Sequence, residues 1–224
     1  IVHAAYVHKV EKLIFIGSAC IYPKDADQPI VEESLLTGSL EPTNEPHAIA
    51  KLAAIKLCQA YRMQYGSDFI AAQPNNLFGP GDDFDPETSH VIPALIGKAH
   101  KAKMGSATAL KVWGSGSVRR ELMYVDDLAD AVIHLLKYYS GSVPVNIGSG
   151  QELTIRKLAE EICGVIGYDG DLEFDRTKPD GVKRKLLDRT RMEQLGWEAK
   201  TPLNKGLKQT YDWYLKRELE SGKI

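Results

Sequence analysis

Three cysteines in 224 residues, Cys20, Cys58 and Cys163, form an odd set with no metal-ligand spacing. A disulfide framework and a structural zinc site are both excluded, no bound metal is expected, and a reducing, cytoplasmic setting is. Neither sign of charge dominates. With 28 Lys and Arg against 30 Asp and Glu the net charge is -2, and the basic residues are scattered except at Lys183-Arg184-Lys185. A nucleic-acid partner and a membrane-surface partner are therefore not expected. No apolar run approaches the ~20 residues of a membrane span, and the start carries no signal peptide. Repeats and low-complexity linkers are lacking too. So is an initiator Met: the chain opens on Ile1, and "IVHAAYVHKVEK" reads as the tail of a helix. The expectation is the C-terminal portion of something longer.

What is present is ordinary globular composition, 43% apolar and 26% charged, at a length that can bury a real core. "KLIFIGSA" (12–19) reads as a strand buried on both faces. "AIAKLAAIKLCQAYRMQYG" (48–66) follows in helical periodicity and stops at Gly66. "DFIAAQPNNLFGPG" (68–81) is a second buried strand, so strand, helix, strand make a parallel βαβ unit. Beyond it, "SHVIPALIGKAHKA" is helical despite Pro93, and "ALKVWGSG" is a strand with a turn. "RRELMYVDDLADAVIHLLKYY" is a strand and a helix capped near Asp126, and "VPVNIGSG" is another strand. Thr154 caps the next helix, and Thr201-Pro202 opens the last with a cap and an N1 proline. The fold class is α/β: the C-terminal part of a doubly wound parallel-sheet (Rossmann-like) domain plus a smaller α/β lobe. The first is expected over 1–82, with 121–150 returning to it, and the lobe over 83–224.

In open α/β sheets, ligands lie at the carboxyl ends of the strands. Ser18 and Cys20 follow the first strand, and Pro74-Asn75-Asn76 ends the second. His47 and Lys51, four apart at the head of the helix, add a titratable ring and a cation. A lone Ser or Cys at a strand end is more often bland than functional, and His47 beside Pro46 also reads as a surface residue. The combination favours a polar site. Gly114-Ser115-Gly116 and Gly148-Ser149-Gly150 do not open βαβ units, so neither is a dinucleotide fingerprint.

The phrases "FIGSACIYPK", "LEPTNEPHAIAKLAAIKLCQAYRMQYG", "PNNLFGPGDDF", "SHVIPALI", "VWGSGSVRRELMYVDDLADA", "VNIGSG" and "KPDGVKRKLLD" run in order through nearly the whole chain. In them the sequence resembles the GDP-L-fucose synthase family, the GDP-4-keto-6-deoxymannose epimerase-reductases of the extended short-chain dehydrogenases. The resemblance implies a GDP-sugar substrate, NADP(H) as cofactor and a homodimer built on the 47–65 helix. It puts Cys20 and His90 at the proton-exchanging positions for C3 and C5, and Ser18 against the 4-oxygen. Ile16, Gly17, Ser18, Lys51, Asn76 and Leu77 take cofactor-side positions. Lys98, Trp113, Arg120 and Asp180 take sugar-nucleotide positions, where the bland readings are a solvated lysine, a packed aromatic and an edge ion pair.

The departures are specific. The family's glycine-rich fingerprint would precede Ile1. "GSAC" stands for "GSSC", "PNN" for "PTN", and His47 occupies the tyrosine position. An imidazole is shorter than a phenol, and in its neutral form is a very weak proton donor. A ~1 Å misplacement can cost about a hundredfold in rate. Weakened ketoreduction is the expectation, with C3/C5 epimerisation retained. Two alternatives stand beside it: another nucleotide-sugar epimerase or dehydratase of the same fold, and a non-catalytic sugar-nucleotide-binding remnant.

Overall fold

A computed structural model of the protein describes residues 1–220. It divides into two compact units: Ile1–Asn76 with Asp126–Gly150 and Lys185–Ala199, and Leu77–Val125 with Gln151–Arg184 and Lys200 onward. The stretch Lys185–Ala199, left in the second lobe by the sequence reading, clusters with the first unit, where Ile30 and Leu187 form a parallel bridge.

Unit 1 opens with α1 (Val2–Val7) and β1 (Lys12–Ile16), followed by a 3-10 turn at Ala19–Ile21. α2 (Glu45–Tyr65) and β2 (Asp68–Pro74) come next. Pro46 sits in the first turn of α2, where a missing N–H costs nothing, and Gly66 ends the helix at φ 68°. The α2 stripe Ala48, Leu52, Ile55 and Cys58 is buried at helical spacing. Part of it joins Ile21, Ile30, Ala71 and Leu187 in one cluster, and Cys58 joins Val2, Ala5 and Phe69 in another. β1 and β2 are parallel in the register Lys12↔Asp68 to Ile16↔Ala72, as the βαβ reading requires. After α4 (Val125–Tyr138), β6 (Val145–Ile147) pairs parallel with β2 and gives the order β1-β2-β6. β1 differs from expectation: all five residues are half-exposed, because it is the edge strand and pairs on one side only among the described residues. The second strand also differs. It breaks at Asn75 into β2 and β3 (Asn76–Phe78).

Unit 2 gathers α3 (Val91–Met104), β4 (Ala109–Trp113), β5 (Arg119–Tyr124), β7 (Glu152–Thr154), α5 (Ile155–Ile166) and β8 (Asp171–Asp175). Its last helix, labelled α7 because α6 (Thr190–Gln194) belongs to unit 1, is Leu203–Glu220. β4 pairs parallel with β8, and β5 antiparallel with β7. The core runs through Phe78, Ile96, Leu110, Leu122, Leu158, Ile162 and Leu207. Thr154 caps α5 as expected, its side chain accepting from Lys157 N–H at 3.1 Å. Two helix starts shift by a residue. α4 begins at Val125, so Asp126 and Asp127 lie in its first turn and favour the positive helix end. α7 begins at Leu203, and the Pro202 carbonyl accepts the first helical bond, from Gly206.

Candidate active site and nucleotide pocket

The carboxyl end of β1 is where unit 1 concentrates its polar groups. Gly17 N–H donates to Ala72 O at 2.8 Å, continuing the β1–β2 ladder by one residue. Ser18 then turns the chain: its N–H donates to Gln73 Oε1 at 3.0 Å, and its Oγ accepts from Cys20 N–H at 3.3 Å. Gly17 leaves room for that carboxamide, since a Cβ there would lie 1.9 Å from Gln73 Oε1. Lys51 Nζ donates to Ile16 O at 2.8 Å and stands 5.2 Å from the Phe15 ring centroid, so the cation is held against this strand end. His47 is exposed on the same helix, one turn before Lys51. Cys20 and Ser18 are half-buried. Cys58 and Cys163 are buried, and burial raises both thiols, Cys163 to about 11. Unit 1 thus brings together Ile16, Gly17, Ser18, Cys20 and Lys51. Asn76 belongs to it too, its N–H donating to Asn75 Oδ1 at 3.0 Å.

Sequence reasoning missed the support beneath this turn. Gln73 and Asn146 are register partners on β2 and β6 and are both fully buried. Asn146 Oδ1 accepts from Tyr22 Oη at 2.6 Å, Asn146 Nδ2 donates to Ile30 O at 2.9 Å, and Asn146 N–H donates to Glu32 Oε1 at 2.9 Å. Burial first, then Glu32, pushes the Tyr22 hydroxyl far above its ordinary range, so it acts purely as a donor. The available signal was one polar letter inside each apolar run, "FIAAQP" and "VPVNIG".

Unit 2 holds His90, Leu77 and the four sugar-nucleotide candidates. His90 precedes α3 in extended conformation and is exposed. Nearby, burial pushes the Asp82 carboxyl up. Lys98, Trp113, Arg120 and Asp180 line one pocket of about 220 Å³, whose apolar wall includes Val91, Leu95 and Ile155. Lys98 Nζ lies 4.5 Å from the Trp113 ring centroid and Lys178 Nζ 4.8 Å, two cations on one indole. Lys178 was not anticipated. Arg120 is burdened on one side: Nη1 donates to Arg119 O and Val182 O at 2.8 and 2.6 Å, and Nη2 to Asp180 O at 3.1 Å. Three of its five N–H groups are thus taken by backbone carbonyls. Burial lowers the guanidinium somewhat, but it starts far above neutrality and stays charged. Among the described residues Asp180 forms no ion pair within 4 Å, though Arg120 and Arg176 act on it at longer range. Its Oδ1 accepts from Ser115 N–H at 2.7 Å, which holds the carboxyl below its usual range. Gly114, at φ 83°, leaves room for that contact; a Cβ would lie 2.4 Å from Asp180 Oδ1.

A strand-end turn of Gly, Ser and Cys beside a helix lysine, with a cationic pocket on a second unit, defines a nucleotide-sugar-modifying class on a dinucleotide-binding fold. Comparison with known proteins gives the same class. Residues 1–148 match the NAD dependent epimerase/dehydratase family, and the chain belongs to that family. Within it the chain is 59% identical to GDP-L-fucose synthase 1 of Arabidopsis thaliana over 216 residues, 96% of this chain and 67% of that protein. It is 50% identical to GDP-L-fucose synthase of Escherichia coli (strain K12) over 227 residues, 97% of this chain and 71% of that protein. The crystal structure of a GDP-L-fucose synthetase from Naegleria fowleri bound to NADP superposes with a TM-score of 0.92 at 30% identity, over 99% of this chain and 71% of that one. The chain spans about two thirds of the length of the curated relatives it matches. No helix among the described residues is long and apolar enough to cross a membrane.

Proposed function

We propose that the protein is an NADP-dependent GDP-L-fucose synthase, converting GDP-4-keto-6-deoxymannose to GDP-L-fucose by C3/C5 epimerisation and 4-ketoreduction. The observation that carries this reading is the shared lining of one pocket by Lys98, Trp113, Arg120 and Asp180, on a chain 59% identical to a named synthase. A pocket of about 220 Å³ is smaller than the ~300–1,000 Å³ of a whole ligand site, so it takes one part of the sugar nucleotide. Its cations suit phosphate, and Trp113, 41% exposed, offers a face to a base or sugar.

The residues at the end of β1 fit the cofactor. Lys51 is held at that end by Ile16 O, and Ser18 and Cys20 there are half-exposed. Ile16, Gly17, Ser18, Lys51, Asn76 and Leu77 would hold NADP(H), which supplies hydride for C4 of the sugar. The 4-keto group acidifies the protons at C3 and C5. Cys20 and His90 remove and return them, since thiol and imidazole both exchange protons near neutrality. Ser18 donates to the 4-oxygen and polarises it. His47 stands where a tyrosine would protonate the developing alkoxide, and its shorter ring makes reduction the weaker half of the reaction.

The exposed apolar side chains Ile49, Leu57, Met63 and Tyr65 on α2 support a homodimer through this helix. A cytoplasmic setting accords with three free thiols. Full-length protein incubated with GDP-4-keto-6-deoxymannose and NADPH tests the reading. Solvent deuterium entering C3 and C5 is expected. Absence of both exchange and NADPH oxidation, with GDP still bound, would leave a sugar-nucleotide-binding protein instead.

A further inference from the structure

The segment after β1 hangs from two buried amides that differ in one respect. Asn146 is satisfied at Oδ1, at Nδ2 and at its backbone N–H, by Tyr22 at the far end of the turn and by Ile30 and Glu32 farther along the chain. Gln73 is only half satisfied. Its Oε1 accepts from Ser18 N–H, and its Nε2, fully buried, has no partner among the described residues. Leaving a buried amide N–H unpaired is costly, and the bond that Gln73 does make is the one to Ser18. The orientation of the carboxamide is fixed by that bond, because only the oxygen can accept from an N–H. Gly17 leaves the space that the carboxamide occupies: a Cβ there would lie 1.9 Å from Oε1, 2.7 Å from Cδ and 2.9 Å from Nε2.

From Gln73 a short chain of bonds runs outward. Gln73 Oε1 holds Ser18 N–H, and Ser18 Oγ in turn holds Cys20 N–H. No charged side chain takes part. We propose that Gln73 is a positioning residue for the site: through one hydrogen bond to the Ser18 backbone it sets the Ser18 hydroxyl, and through that hydroxyl the Cys20 thiol. This rests on the synthase reading for its catalytic meaning. The positioning itself does not.

Cys20 reports on it directly, since Cys58 and Cys163 are buried and raised while Cys20 is half-exposed. The experiment measures iodoacetamide alkylation of Cys20 across pH in wild type, Gln73→Met, Ser18→Ala and the double variant. Met keeps the length and volume of Gln and removes the acceptor. Each single variant is expected to change the rate by about two- to tenfold, the range for losing one intramolecular hydrogen bond. The double variant should change it no more than the larger single, because both act through one path. A Gln73→Met rate within about twofold of wild type, or independent effects that multiply, would overturn the proposal.

Amide exchange on the unmutated protein keeps the test open should Gln73→Met fail to fold. Ser18 N–H should be protected to the same degree as Gly17 N–H, and exchange as fast as an exposed loop would overturn it. With full-length protein the expected signature is a fall in kcat for C3/C5 deuterium exchange with KM for the GDP-sugar unchanged. Inactive protein that still shows the alkylation and exchange patterns would refute the synthase reading and leave the positioning role intact.

Discussion

The turn after β1 and the pocket of unit 2 achieve order by opposite means. In unit 1 the turn is held by neutral amides with no solvent access, Gln73 beneath Ser18 and Asn146 beneath Tyr22 and Ile30. In unit 2 the pocket is held by charged groups, each tied to backbone: Arg120 to three carbonyls, Asp180 to the Ser115 amide. A turn resting on dry neutral amides responds to shape, because water does not reach those amides to replace a displaced hydrogen bond. A cationic pocket responds to charge and to salt. One region therefore suits proton and hydride chemistry at a fixed distance, the other the grip on an anionic ligand.

The sharpest test of the first half is at His47. In full-length protein, His47→Tyr is expected to raise NADPH oxidation by about 10²–10⁴-fold, the usual worth of a placed general acid. Deuterium entry at C3 and C5 should change little, since Cys20 and His90 are untouched. If wild type already reduces as fast as His47→Tyr, imidazole is an adequate acid and geometry at this end matters less than claimed.

Arg120 and Lys98 test the second half. Arg120→Ala is expected to weaken GDP binding about 10–100-fold, more than Lys98→Ala, because the guanidinium both offers a fork and pins the 180–182 turn. Arg120→Lys should recover little of it, as one ammonium cannot replace three backbone contacts and still face a phosphate. Calorimetry at two salt concentrations reads both claims, and an equal loss in Lys98→Ala would reverse the ranking. A smaller effect is expected at Gly114→Ala. Its Cβ would meet Asp180 Oδ1 at 2.4 Å in a left-handed backbone, displacing the carboxyl and reducing GDP affinity by about three- to tenfold. Affinity unchanged in Gly114→Ala would mean that Asp180 does not contact the ligand.

These expectations show where the sequence was legible. β1, α2 and β2 were readable because a buried apolar run, period 3.6 and a glycine stop are local signals; the carboxyl-end rule then singled out Ser18 and Cys20, and spacing to His47 singled out Lys51. The half-exposure of β1 was not readable, since it depends on which strand lies beside it. β8 and β9 (Arg184–Lys185) escaped for a related reason: "DLEFD" and "RK" carry little apolar pattern and are strands only through their partners. Gln73 escaped because a single polar residue in a buried strand has no periodicity. The return of Lys185–Ala199 to unit 1 depends on Ile30, more than 150 positions away in the chain, and no window of sequence reports that.

The comparison has one exception within unit 2, and it carries the smallest predicted effect. His100 on α3 is buried, 5% exposed, with Nδ1 3.0 Å from Tyr211 Oη and no partner at Nε2 among the described residues. Tyr214 packs edge-on against it. Burial lowers its imidazole below the ordinary 6.5, Lys103 acts in the same direction, and Glu218 opposes them in part. A folded-state value below the unfolded one means that the unfolded chain takes up the proton first as pH falls. Stability is then fully present above about pH 6.5 and declines through the window just below it. Carboxylates titrate lower, so this window belongs to histidine. His100→Phe keeps the ring and removes the titration. Between pH 7 and pH 5.5 the melting temperature of wild type should fall by a few degrees more than that of His100→Phe, about 2–4 °C for each kcal/mol in a chain of this size. Parallel curves for the two proteins would show that His100 takes up its proton as readily in the folded chain as in the unfolded one. The contrast between a turn resting on dry amides in unit 1 and a charged pocket in unit 2 would then hold without exception.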